Sequence, residues 1–342
     1  MESKLNPGVV DRLFVLGLQG SPRKKGNTHD LLSAFMDRVA GLGAKTMVIP
    51  ITECNIRPCI GCEACSQTGF CFIQDDMSQY IYKLLRMADV IVMATPMYFY
   101  NTPAQLKTLI DRSQAFWVRK YYHGLSDPKH TFRIGLLLAQ GATKGKNLFD
   151  GVRLTAKYFF DAVGATLVDA LTYRRIEHSG DIKNHPTLIN DIDTMVTQFI
   201  TPLISRKRFI FTSDHDGILS QIATAFTLYH AGKYIEAIST ATEPKSELNP
   251  MILSIMAEKK IDMRLLTCQD TSTVISKNLT NQFISLGNSN YISSIKHPNT
   301  MGWLFNDQAD FSLEILRTIR DEIERQVLSL AESFKQTNMM SE

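Results

Sequence analysis

The chain has no run of eighteen apolar residues, and no leader in which a basic stretch precedes an apolar one and a small-residue cleavage site. Those absences argue against a membrane span and against export, and the expected setting is the cytoplasm. It has little surplus charge: 37 Lys and Arg against 34 Asp and Glu leave +3 over 342 residues, too little to predict a nucleic acid or an anionic membrane as partner. It carries neither the G-x-G-x-x-G of a dinucleotide site nor the G-x-x-x-x-G-K-[ST] of a triphosphate loop. What is there is ordinary for a soluble protein, 44% apolar and 21% charged, at a length that predicts two domains. Cysteines number six, and in a reducing compartment they read as metal or redox ligands before they read as disulfides.

Four of the six stand within thirteen residues: Cys59, Cys62, Cys65 and Cys71, in RPCIGCEACSQTGFCFIQDDM. The spacing C-x2-C-x2-C-x5-C lets one short loop present four thiolates to one point, as a cubane iron-sulfur cluster requires. Zinc more often draws its thiolates from two separated knuckles, and a catalytic C-x-x-C pair needs only two sulfurs. A 4Fe-4S cluster is the favoured reading, with zinc and a metal-free loop as alternatives. The spacing departs from the bacterial ferredoxin run, whose last gap is three residues followed by Pro; here it is five, followed by Phe72. Cys54 reads as a small buried residue, and Cys268 lies far off in sequence.

Apolar runs and helical periodicities alternate through the first half. RLFVLGL, AKTMVIP, DVIVMATP, FRIGLLLAQ and ATLVDALTY read as strands, with helical patterns between them, which predicts a doubly wound parallel sheet with helices on both faces. Ligands bind such sheets at the carboxyl ends of the strands. The loop after strand one, GSPRKKGNTHD (20 to 30), offers hydroxyls and backbone N–H groups opening into a helix. It suits a phosphate monoester such as that of FMN, with Ser21, Asn27 and Thr28 as ligands and Arg23 nearby; the plain alternative is a polar loop with a good helix cap. In TPMYFYNTPAQLK (95 to 107), Met97, Tyr98, Phe99 and Tyr100 can wall a flat ring, although each is individually as well suited to a core. A third loop, AQGATKGKN (139 to 147), is Gly-rich and also opens a helix.

GSPRKKGNTHDLL, the cysteine loop running into DDM, and ADVIVMATPMYFYNTPAQLKTLIDR together resemble the flavodoxin-like NAD(P)H-dependent FMN reductase family, specifically its iron-sulfur flavoprotein branch, over about residues 10 to 200. The resemblance implies a five-stranded flavodoxin-like domain that binds FMN and a 4Fe-4S cluster. It implies phosphate contacts at Ser21, Arg23, Asn27 and Thr28, isoalloxazine contacts at Pro96, Met97, Tyr98 and Asn101, and cluster ligands Cys59, Cys62, Cys65 and Cys71. It also implies a homodimer or homotetramer with FMN near a subunit interface. The expected function is an oxidoreductase passing electrons between ferredoxin or NAD(P)H and an acceptor such as a quinone or an oxygen species. The alternative is a flavin-binding redox sensor or adaptor that recognises a partner through its second domain.

That second domain is expected over 206–342, after a flavodoxin-like domain of 1–205 that holds the cysteine loop 54–74. SQIATAF, HAGKYIEAISTATEPKSELNP, MAEKKID and RTIRDEIERQV resemble the low-molecular-weight tyrosine phosphatase fold, closest to thioredoxin-coupled arsenate reductases. That family needs a nucleophilic Cys and an Arg in one anion-binding loop. Counting back from Ser220 and Gln221, those positions hold Ser213 and Leu219, and Asp214 and Asp216 add negative charge. Asp307 is the candidate for the family's general acid. Cys268 is expected to lie well outside the loop, so the domain reads as degenerate and non-catalytic.

Overall fold

The computed structural model describes residues 13–275, 282–305 and 312–339. The chain divides into two compact units, Met1–Gly124 with Phe132–Ser205, and Leu125–Thr131 with Arg206–Glu342. The segment Leu125–Thr131 goes with the second unit, in which Ser126 donates to Lys260 O (3.0 Å) and accepts from Asp262 N (2.9 Å).

The first unit is built from β1 (Phe14–Gln19), α1 (Asn27–Ala40), β2 (Lys45–Pro50), α2 (Ala64–Thr68), α3 (Tyr82–Met87), β3 (Val90–Pro96), α4 (Ala104–Arg112), α5 (Gln114–Trp117), β4 (Ile134–Gly141), α6 (Asp150–Ala162), β5 (Thr166–Arg174), α7 (Leu188–Met195) and α8 (Thr201–Ile204). The strands pair in the order β2-β1-β3-β4-β5, parallel throughout, with Val15 between Thr46 and Val90. This is the doubly wound flavodoxin-like order. The central strands are apolar along their whole length because both faces are covered: every residue of β3 is buried. Strand order reverses between β1 and β3, so the crevice outside their carboxyl ends is the expected place for a ligand.

The second unit runs β6 (Lys207–Ser213), α9 (Ile218–Ala231), β7 (Ile235–Ala241), α10 (Pro250–Glu258), β8 (Cys268–Asp270), α11 (Thr271–Ile275), β9 (Gln282–Gly287), α12 (Ser289–Ser294), β10 (Thr300–Leu304) and α13 (Leu313–Met339). Its parallel sheet has the order β10-β9-β6-β7-β8. Almost every side chain of α9 is buried, which is why its sequence shows little amphipathic alternation. Asp307 lies outside the described residues. No helix among the described residues is long and apolar enough to cross a membrane.

Candidate functional site

At the end of β1 the chain turns at Gly20, whose N–H donates to Ala94 O (2.8 Å). A side chain there would meet Leu106 Cδ2 at 2.4 Å and the Ala94 carbonyl at 3.0 Å, so β1, β3 and α4 close only around glycine. Gln19 reaches forward, its Oε1 accepting from Ser21 N (2.6 Å), and Ser21 Oγ accepts from Arg23 N (3.1 Å). These two turns shape the loop into α1. The cap of α1 is Gly26, which provides no side-chain acceptor to the first-turn N–H groups. Arg23, Lys24 and Lys25 stand exposed beside them.

Of the four residues expected at the phosphate, Ser21 and Arg23 frame the cradle, while the side chains of Asn27 and Thr28 already have partners. Asn27 Nδ2 donates to His178 O (2.7 Å), and its Oδ1 accepts from Gly180 N (3.0 Å) and Ile182 N (3.3 Å). Thr28 Oγ1 accepts from Gln140 Nε2 (3.2 Å). Their backbone N–H groups lie in the first turn of α1, which no side chain caps. The parts contributed by Gln140 and residues 178–182 were not visible in the motif, because they come from β4 and from the segment after β5.

The loop after β3 doubles back at once. Tyr98 and Asn101 exchange backbone hydrogen bonds (2.8 and 3.0 Å) around Phe99 and Tyr100, which have φ of 48° and 63°. Two consecutive non-glycine residues in the left-handed region are strained, a feature that concentrates at functional sites. The turn holds Phe99 fully in solvent and leaves Tyr98 and Tyr100 about half exposed. Pro96 is buried, and Met97 packs toward Gly141, where a side chain would lie 3.2 Å from Met97 Cγ. Asn101 braces the turn: Nδ2 donates to Thr155 Oγ1 (3.1 Å) on α6, and Oδ1 accepts from Thr102 N (2.8 Å). Gly151 allows the close approach of this turn to α6, since a Cβ there would fall 2.6 Å from Tyr100 O.

Cys59, Cys62, Cys65 and Cys71 line a single cavity of about 270 Å³. Left-handed residues stand inside each C-x2-C step, Gly61 (φ 65°) and Glu63 (φ 59°), and Gly69 (φ 72°) ends α2. Such residues let a short loop curl and turn its N–H groups to one side, as loops around iron-sulfur clusters and other anions do. Cys59 and Cys62 are exposed, Cys65 and Cys71 half-buried. Burial, with like charge from Cys71, Cys59 and Cys62, pushes the Cys65 thiol up. Among the described residues no three candidate ligands converge on a single metal ion. A tetrahedral zinc with Zn–S of about 2.3 Å would draw its sulfurs to about 3.8 Å of one another, whereas a cubane gives each sulfur its own iron. The donor set and its shared cavity fit the cluster. Cys54 stands apart, its thiol 3.4 Å from both Pro50 O and Tyr80 Oη, and burial pushes it up.

In the second unit, β6 ends at Ser213, and Leu219 is buried on α9. The loop between them is filled from within. Ser220 N donates to Ser213 Oγ (3.1 Å), Ser220 Oγ donates to Gly217 O (2.9 Å), and Asp214 Oδ1 accepts from Thr242 Oγ1 (2.7 Å) and His215 N (2.9 Å). The expectation for Cys268 is corrected here. β8 pairs with β7 and carries the thiol back to this loop, to 3.4 Å from Ser239 Oγ; a side chain on Gly217 would meet it at 2.8 Å. Burial, which outweighs hydrogen bonds from Ser239, Gln221 and Ser220, pushes this thiol up, opposite to the shift a nucleophile requires.

Residues 14–153 match the family model described as NADPH-dependent FMN reductase. The chain is 41% identical over 100 residues to an iron-sulfur flavoprotein of Methanocaldococcus jannaschii, a match covering 29% of this chain and 51% of that protein. It is also 41% identical over 99 residues to an iron-sulfur flavoprotein of Methanosarcina thermophila, covering 29% and 51%. The chain thus spans about half the length of these curated relatives. A solved structure described as an arsenate reductase in the phosphate binding state aligns at 23% identity with a TM-score of 0.32, over 37% of this chain and 98% of that one.

Proposed function

We propose that the chain is an FMN-dependent oxidoreductase that also carries a 4Fe-4S cluster. One observation carries the reading: four cysteines wall one cavity in a unit whose strand-end loops leave an uncapped, basic helix N-terminus. The similarity to iron-sulfur flavoproteins supports it.

In this reading the α1 N–H groups of Asn27 and Thr28, with Ser21 and Arg23, hold the phosphate of FMN. Pro96, Met97 and Tyr98 flank the flavin ring, and Asn101 holds that turn against α6. Cys59, Cys62, Cys65 and Cys71 ligate the cluster. When bound, FMN accepts electrons in pairs and the cluster moves them singly, which lets a two-electron donor such as NAD(P)H, or a one-electron donor such as ferredoxin, serve an acceptor such as a quinone or an oxygen species. The protein works in the cytoplasm as a homodimer or homotetramer, and its second unit is a non-catalytic domain.

Anaerobic purification of the full chain tests the reading through its absorbance spectrum, flavin extraction and iron and sulfide analysis. One FMN and four irons per chain are expected. A yellow protein with full flavin and no iron would remove the cluster, and a colourless, iron-free protein would remove the whole reading. Steady-state assays with NADH, NADPH and reduced ferredoxin then identify the donor.

A further inference from the structure

Arg112, the last residue of α4, enters the wall of the cysteine cavity as a side chain with no exposure. Its Nη1 donates to Arg57 O (2.8 Å) and Asp75 Oδ2 (2.6 Å), and its Nη2 to Ile73 O (3.4 Å) and Asp75 Oδ1 (3.2 Å). Arg57 precedes Cys59 and Ile73 follows Cys71, so one guanidinium ties together both ends of the segment that carries the quartet. The Nε of Arg112 is buried with no partner among the described residues. Of the pair, Arg112 lines the cavity, and Asp75 stands behind it. The hydroxyl of Tyr82 donates to Arg112 O (2.6 Å) and lies beside Cys71, linking the end of α4 to the fourth cysteine.

We infer that Arg112 tunes the redox centre held by the quartet: its fixed positive charge stabilises the reduced state, and its free Nε–H is placed to donate to a sulfur. The inference rests on the cluster reading above. One electron taken up by the cluster makes it more negative by one charge, and a buried cation in its wall favours that state. Removing the cation lowers the reduction potential, and removing the anion behind it raises the potential. A residue that only holds the loop in shape would not give shifts of opposite sign.

The full chain and three variants, Arg112→Gln, Arg112→Lys and Asp75→Asn, are loaded anaerobically, analysed for iron and sulfide, and titrated with redox dyes while absorbance and EPR spectra are followed. At the wild-type midpoint, Arg112→Gln is expected to lower the reduced-to-oxidised ratio about tenfold, which for one electron is about 59 mV. Asp75→Asn is expected to raise the ratio, and Arg112→Lys, which keeps the charge, to stay near wild type. A loaded Arg112→Gln protein with an unmoved midpoint overturns the inference. If that variant fails to hold iron, Asp75→Asn decides: an upward shift supports the inference, and a downward or absent shift overturns it. A wild type without iron or sulfide overturns the function reading and this inference together, whereas a loaded wild type isolates the role of Arg112.

Discussion

The two units end their first strands alike: β1 and β6 each run into a short loop, a glycine cap without a side-chain acceptor, and a fourteen-residue helix. In the first unit that geometry is left open. Basic side chains surround it, and the side chains of Asn27 and Thr28 are drawn off to residue 178 and beyond and to Gln140. In the second unit the corresponding space is occupied by the protein itself, with Ser213, Ser220 and Cys268 packed into it and Asp214 at its edge. A helix N-terminus is therefore only an opportunity for anion binding, and the side chains around it decide whether it is used.

The comparison breaks most readily at the sulfurs. Cys62→Ser is expected to abolish iron and sulfide binding while FMN stays at wild-type stoichiometry, read by metal analysis and flavin extraction. Cys268→Ser is expected to change neither; iron loss there would tie the second unit's thiol to the redox centre. Next in size, Gly20→Ala forces a Cβ against the Ala94 carbonyl and Leu106, with an expected loss of about 1–3 kcal/mol in urea unfolding and weakened FMN retention. An unchanged midpoint would show that β1, β3 and α4 can part without cost.

A pH titration sharpens the contrast between the two acidic residues. Burial works to raise the Asp75 carboxyl, but the Arg112 guanidinium and the N–H groups of Arg57 and Ser78 outweigh it and hold it below the usual carboxylate range. Asp214 is likewise held low, with burial outweighed by Thr242 and the His215 N–H. A depressed carboxyl contributes stability that is full above its unfolded pKa, near 4, and is lost as pH falls through the folded value. Acid unfolding should therefore lose its dependence below about pH 4 to a large extent in Asp75→Asn, and less in the more exposed Asp214→Asn, as followed by circular dichroism. The smallest effect is expected from Ser213→Ala: no change in flavin or iron content, and no change in turnover of aryl phosphates or arsenate. Turnover by wild type that disappears in this variant would show that the second loop is still at work.

The sheet of the first unit was legible because its central strands β1, β3 and β4 are short apolar runs buried almost throughout, with helical patterns between the strands. The quartet was legible because its spacing is local. Three features were not legible, because each depends on partners far along the chain or on an element too short to show a pattern. Nothing in GSPRKKGNTHD says that Asn27 serves residues 178–182, because that choice depends on where the segment after β5 returns. The placement of Cys268 depended on β8, a three-residue strand with too little pattern to recognise. Arg112 reads as one polar residue within the helical pattern PAQLKTLIDRSQAFW, and only the fold brings it between Arg57 and Ile73.

The engagement of Asn27 also determines where this protein can be cut. The matched family region stops at residue 153, which would suggest a minimal flavin module ending in α6. A fragment ending there would lose β5, leave β4 as a bare sheet edge, and strip Asn27 of its acceptor His178 and its two donors at the mouth of the cradle. A piece that keeps these bonds must run at least through Ile182, so the loop into α1 gets its last hydrogen-bond partner only after some 150 further residues have left the ribosome.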